Sequence, residues 1–198
     1  MVDRTTELAH FVEVARNAFE EFVTNDSGRV SVDRIFGAID AESGHINKDC
    51  IKLPVCAFLS DASEVETSNQ TLLELVKSFL ALEPDLSWVR RLSYDAATAS
   101  ENFPDGHGNC MVIGPGGLED RPDVAIGASL LAPNVRYPDH THFPEETYLV
   151  LSEGHFKQSD NEWFALGPGG SFYNPPGILH AMRSTNRPLL AFWALWVG

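Results

Sequence analysis

The 198 residues suffice for one hydrophobic core, or for one core with a helical extension. Against 28 acidic residues stand only 14 basic ones, and the net charge of −14 argues against nucleic acid or an acidic membrane surface as a partner. The cysteines, Cys50, Cys56 and Cys110, are odd in number and have no C-x-x-C spacing, which argues against a disulfide framework or a cysteine zinc site and leaves free thiols.

The opening stretch, Met1 to Glu7, lacks the basic and then apolar layout of a secretion signal. The longest apolar run, Leu189 to Val197, is too short to span a bilayer, so a cytoplasmic protein is expected. Leu8, Phe11, Val12, Ala15, Ala18, Phe19, Phe22 and Val23 recur at helical spacing and predict an amphipathic helix from about Thr6 to Thr24, ended by Asn25-Asp26-Ser27-Gly28. A short second helix is expected over Ser31 to Ala41. A further one runs from Ser68 to Glu83-Pro84, with Trp88 and Val89 starting one more turn. These apolar stripes are expected to bury against the rest of the protein; a lid or a dimer surface is the alternative use.

After residue 100 the period changes. Val124 to Leu131, Thr147 to Leu151, Trp163 to Leu166 and Leu189 to Val197 read as strands, separated by Gly114-Pro115-Gly116-Gly117, Gly167-Pro168-Gly169-Gly170 and Pro175-Pro176-Gly177. The first hundred residues hold only Pro54 and Pro84, whereas glycine and proline crowd the second half. The expected division is a helical region over residues 1–100 packed on a barrel formed by residues 101–198. None of the glycine clusters lies between a strand and a long helix, which argues against a phosphate loop.

The stretch Tyr137-Pro138-Asp139-His140-Thr141-His142-Phe143-Pro144-Glu145-Glu146-Thr147-Tyr148 carries the chemistry. His140 and His142 are two apart, so a strand here places both imidazoles on one face. Glu146 and Tyr148 keep the same parity, and a bulge or bend at Pro144 lets all four face one cavity. His180 follows the turn Pro175-Pro176-Gly177, which aims the next strand back into the same space. Three neutral imidazoles and a carboxylate suit one divalent transition metal. Iron, zinc and manganese fit, as do nickel, cobalt and copper, and coordination positions stay open for water or substrate. His10, His45, His107 and His155 have no such context and read as ordinary core or surface residues.

These segments resemble the two cupin motifs. His140, His142 and Glu146 match H-x-H-x(3,4)-E-x(6)-G, with seven residues rather than six before Gly154. Gly169, Pro175, Gly177 and His180 match G-x(5)-P-x-G-x(2)-H-x(3)-N, with Ser184 in the asparagine's place. The resemblance implies a mainly β protein: a C-terminal cupin barrel (double-stranded β-helix) with an α-helical N-terminal extension. In layout over the whole chain, and in motif from Tyr137 to Trp196, the sequence is similar to the cupin-type dimethylsulfoniopropionate (DMSP) lyases. Their mark is a Glu-x-Tyr pair, here Glu146 and Tyr148. That resemblance implies a carbon–sulfur lyase with His140, His142, Glu146 and His180 on the metal, Tyr148 as base and Tyr137 in the substrate pocket. The implied reaction is a β-elimination giving acrylate, dimethyl sulfide and a proton, with the substrate carboxylate on the metal. The partner would be a small zwitterionic carboxylate; cupins often pair, which leaves a homodimer open.

A sulfonium prefers aromatic faces. Tyr137, Phe143, Trp163, Trp193 and Trp196 are the candidates. Trp193 and Trp196 have opposite parity on the last strand, so a regular strand turns at most one of them inward, and Trp193 is preferred. Two other readings share the ligand set: a non-haem iron dioxygenase, which has no need of Tyr148, and a non-catalytic cupin that grips a small carboxylate. A third alternative concerns Tyr148 alone, as a hydrogen-bond donor that orients Glu146.

Overall fold

The computed structural model describes residues 4–47 and 50–198. Met1, Val2 and Asp3, on which the reading of the leader partly rests, lie outside them. The chain leads with α1 (Thr6–Phe22), α2 (Asp26–Ala41), the two-residue strand β1 (His45–Ile46), a 3-10 turn over Pro54–Phe58, the short α3 (Leu59–Ala62) and α4 (Gln70–Leu82). Each long helix begins on a side-chain cap: Thr5 accepts from the Leu8 N–H, Asn25 from Gly28 and Asn69 from Leu72. No helix among the described residues is long and apolar enough to cross a membrane.

Two expectations about this half need correction. Asn25 to Gly28 do not merely stop α1; they open α2, which starts five residues before the expected Ser31. Asn25 is the cap, and Gly28 sits inside the helix because a Cβ there would press on Val23 and approach Thr147 of the sheet beneath. Trp88 and Val89 form a strand, β2 (Trp88–Val89), not a helical turn. They pair with Cys110 and Asn109, and that long-range ladder overrides the local pattern.

The short α5 (Phe103–Gly106) precedes the remaining strands. These are β3 (His107–Ile113), β4 (Glu119–Asp120), β5 (Val124–Leu131), β6 (Arg136–His140), β7 (Glu145–Val150), β8 (Gly154–Gln158), β9 (Phe164–Leu166), β10 (Ser171–Asn174), β11 (His180–Ser184) and β12 (Leu189–Trp196). Among the described residues they make an eight-stranded sheet, β1-β4-β3-β5-β12-β7-β10 with β2 added on β3, and a four-stranded sheet, β6-β11-β8-β9. The fold is the mainly β cupin barrel with helices ahead of it. β1 and β2, from the first hundred residues, are stitched into the large sheet through β4 and β3.

β12 explains both the unbroken apolar run and the division of labour between its faces. Phe192 packs on Phe11 of α1 and Phe79 of α4, with ring centroids 6.1 and 5.0 Å apart. Trp193 and Leu195, of opposite parity, line the barrel cavity. A strand covered on both faces is apolar throughout.

A buried ion cluster ties the N-terminus to the barrel. Glu119 is fully buried and accepts from the Arg4 guanidinium at 2.5 and 2.9 Å and from the Gly44 N–H at 2.9 Å. Arg121 lies 3.8 Å from Glu119, pairs with Asp123 and donates to the Ala38 and Glu42 carbonyls at the end of α2. Glu119→Ala leaves the half-covered Arg4 without its carboxylate. It is expected to destabilise by about 3–5 kcal/mol, read as a lower urea midpoint at unchanged slope.

Candidate functional site

β6 ends at His140, so the regular strand expected to carry both histidines stops on the first of them: His142 lies beyond it, in the connection to β7. The imidazoles nevertheless converge. The ligand atoms of His140, His142 and His180 lie within 4.8 Å of one another. His140 and His180 are register partners across β6 and β11, their ring centroids 4.0 Å apart; His142 comes from the side, 4.9 Å from the His180 ring.

Backbone carbonyls set the tautomer of all three rings. His140 Nδ1 faces Pro138 O at 2.8 Å, His142 Nδ1 faces Pro144 O at 2.8 Å and His180 Nδ1 faces Ile178 O at 3.0 Å. A carbonyl only accepts, so each Nδ1 carries a proton and each ring turns its Nε2 inward, that of His142 toward the Glu146 carboxylate. His180 Nε2 is buried without a hydrogen-bond partner. Pro144, expected as a bend, thus also holds the His142 ring.

The consecutive acids of β7 part company. Glu145 turns outward, accepts from the Tyr173 hydroxyl at 2.7 Å and pairs with Arg34. Glu146 turns inward, and its Oε2 lies 3.2 Å from His142 Nε2 and 3.4 Å from His180 Nε2. Sequence reasoning missed the group that fixes it: Asn174, its register partner on β10, donates to Oε2 at 3.1 Å, and Gln158 in turn donates to Asn174 at 2.7 Å. Nothing local to Asn174 marks it.

Electrostatics follows from this packing. Burial, with His180 close by, holds His140 neutral, with its pKa lowered to about 3. Burial opposes the charged form of His142, but Glu146 outweighs it and the ring sits above its usual range. Burial would raise the Glu146 carboxyl; His142 and His180 reverse that and hold it well below the carboxylate range. Three convergent Nε2 atoms, that of His180 buried without a hydrogen-bond partner, beside an ionised carboxylate suit a divalent cation.

His140, His142 and Glu146 open into a cavity of about 270 Å³ lined also by Arg91, Asn109, Ser129, Tyr137, Tyr148 and Trp193. Tyr148 stands opposite Trp193 on β12 and Phe172 on β10, stacked on Phe172 at 4.8 Å. Burial first, and the Glu146 charge second, push its phenol well above the usual range. Trp193 and Tyr137 are joined by a relay. The indole N–H donates to Ser129 at 3.1 Å, Ser129 donates to Asn109 at 2.7 Å, and Asn109 donates to the Tyr137 hydroxyl at 3.2 Å. A Cβ at Gly127 would collide with the Trp193 ring, so the glycine sets where that ring lies.

The other candidate aromatics sit elsewhere. Phe143 is 87% exposed. Trp163 is sandwiched by the Arg136 and Arg183 guanidinium groups, and Trp196 lies under Arg34 at 4.2 Å. Sequence reasoning also missed Arg91, which follows β2 by two residues, because Trp88 and Val89 read as a helical turn.

The sequence profile of the dimethylsulfoniopropionate lyase family matches residues 27–191. The dimethylsulfoniopropionate lyase DddQ of Ruegeria pomeroyi is 28% identical over 149 residues, 75% of this chain and 72% of that protein. The crystal structure of the Ruegeria pomeroyi DSS-3 DddQ superposes with a TM-score of 0.73 at 22% identity, covering 95% of this chain and 91% of that one. A chain from the crystal structures of the DMSP lyases RdDddP and RnDddQII gives a TM-score of 0.71 at 22% identity, covering 96% and 92%.

Proposed function

This chain belongs to the dimethylsulfoniopropionate lyase family, and from that membership we propose that it cleaves dimethylsulfoniopropionate by a metal-assisted β-elimination with Tyr148 as base. The observation that carries the reading is the placement of the buried Tyr148 in the same cavity as His140, His142 and Glu146, with His180 gathered onto the same point as the two histidines. His140, His142, His180 and Glu146 would hold one divalent transition metal, with iron, zinc and manganese the leading candidates. When bound, it would draw charge from the substrate carboxylate and stabilise the carbanion character that develops beside it.

The chain's own groups do the rest. The Tyr148 phenolate takes the proton α to the carboxylate. The C–H electron pair becomes the C=C bond of acrylate, and the C–S pair leaves on sulfur. Dimethyl sulfide departs neutral, so no acid is needed at the leaving group. Tyr148 then returns its proton to solvent. Trp193 and Tyr137 offer π faces to the sulfonium, each worth roughly 0.5–2 kcal/mol. Their relay through Ser129 and Asn109 fixes both rings before substrate arrives. In this reading residues 1–100 cover the barrel and residues 101–198 carry the metal.

The test is turnover without oxygen. Full-length protein reconstituted with metal is mixed with dimethylsulfoniopropionate under nitrogen, and headspace dimethyl sulfide and dissolved acrylate are quantified. Equal amounts of both support the elimination. Absence of both products, with oxygen uptake on admitting air, would instead favour the dioxygenase reading; a stable carboxylate complex with no product would favour a binding cupin.

A further inference from the structure

Among the described residues the cavity holds one cationic side chain besides its histidines, Arg91, and the elimination as derived above gives it no part. Its setting is specific. β2 pairs with β3 so that Val89 faces Asn109 and Trp88 faces Cys110. Trp88 points to the helices, edge-on to Phe79, while Val89 and Arg91, of the other parity, line the cavity. The chain just past β2 is pinned as well. The Arg91 N–H donates to His107 Nε2 at 2.8 Å, and His107, stacked on Phe103 at 3.7 Å, gives its Nδ1 proton to the Phe103 carbonyl.

The guanidinium has no carboxylate of its own. Arg4, Arg16, Arg34, Arg90, Arg121, Arg136 and Arg187 each pair with a carboxylate. Arg91, like Arg29 and Arg183, forms no ion pair among the described residues, but it alone of the three lines the cavity; its Nε donates to Ser93 O at 3.1 Å and its guanidinium hydrogen-bonds the Tyr137 side chain. In a chain with twice as many acids as bases, an arginine without an acid that lines the same cavity as His140, His142 and Glu146 has its charge directed at a ligand. Arg91 lines the same cavity as Tyr137, His140, His142 and Tyr148, which places that charge within the site.

We propose that Arg91 is the carboxylate-recognising residue of this site: its guanidinium binds the anionic end of the substrate and, by repelling a cation, directs the sulfonium end to Trp193. This rests on the zwitterionic carboxylate read above as substrate. The cavity then has a polarity of its own, and a neutral or cationic analogue of the same shape is rejected. A guanidinium matches a carboxylate in a fork that the compact ammonium of lysine does not reproduce.

The experiment measures two quantities on metal-loaded, full-length wild type, Arg91→Lys and Arg91→Met. These are the Kd of acrylate by calorimetry, and kcat and KM for dimethylsulfoniopropionate. Arg91→Met is expected to raise the acrylate Kd and the KM together by about 10–100-fold, with kcat changed far less, and Arg91→Lys to fall between. Acrylamide, the uncharged analogue, should bind all three proteins equally weakly. Metal content and melting temperature close to wild type in Arg91→Lys show that the fold is kept. An acrylate Kd unchanged in Arg91→Met, with metal still bound, overturns the assignment. Acrylate binding does not require turnover: binding lost in Arg91→Met supports Arg91 even if dimethyl sulfide never forms, in which case the lyase chemistry alone fails.

Discussion

Tyr148→Phe is expected to lower kcat for dimethyl sulfide release by about 10²–10⁴-fold, the usual contribution of a positioned general base, while metal content stays at wild-type level. The substitution removes one buried hydroxyl and keeps the ring stacked on Phe172. The sign of the pH dependence follows from the surroundings of the phenol. Burial and the Glu146 carboxylate favour its neutral form and outweigh the Arg91 charge that opposes them, so a further cation, at the histidines, is needed to draw it toward phenolate. The reactive form is the deprotonated one. Wild-type kcat/KM should therefore rise with pH and reach its optimum at neutral to alkaline pH, and this limb should vanish in Tyr148→Phe. If Tyr148 instead served to orient Glu146, the variant would lose metal and recover activity when metal is supplied in excess. An acidic optimum with metal bound would rule out a tyrosinate base.

His180→Ala is expected to abolish both stoichiometric metal binding and turnover. Its Nε2 is buried and unpartnered, and its ring stands 4.0 Å from that of His140. Removing a ligand should weaken metal by more than the roughly 10–100-fold that follows from losing a residue that only orients one. The same loss is legible in stability. A metal present at 100 times its Kd stabilises the folded state by about 2.7 kcal/mol, so wild type should melt higher on metal addition and His180→Ala should not. A variant that keeps full metal occupancy would remove His180 from the ligand set.

How much of this was legible beforehand depended on how locally each feature is encoded. His140, His142, Glu146 and His180 lie in two short stretches whose spacing is itself the signal, and the structure gathers them around one point even though His142 lies off the strand expected to carry it. Trp193 could be preferred over Trp196 because strand parity is a period-2 property of contiguous residues, and the two rings indeed face opposite sides. Asn25 to Gly28 misled because the residues that stop one helix also cap the next. Trp88 and Val89 misled because a two-residue strand has no period to read; its existence depends on Cys110 and Asn109, some twenty residues away. Asn174 and Arg91 were invisible for the same reason. One reaches Glu146 across a sheet, and the other enters the cavity from the half of the chain that read as helical cover. Phe143 and Trp163 were plausible by type alone. Solvent and two arginines claim them instead.

The central claim is that elimination depends on one metal held by the histidines and Glu146, and a metal titration tests it most directly. Protein stripped with a chelator is mixed with dimethylsulfoniopropionate, iron, zinc or manganese is added in steps, and dimethyl sulfide is followed in the headspace. The account predicts no release from stripped protein and a rate that climbs in proportion to added metal and levels off at one equivalent per chain. Release at the full rate from metal-free protein would contradict it.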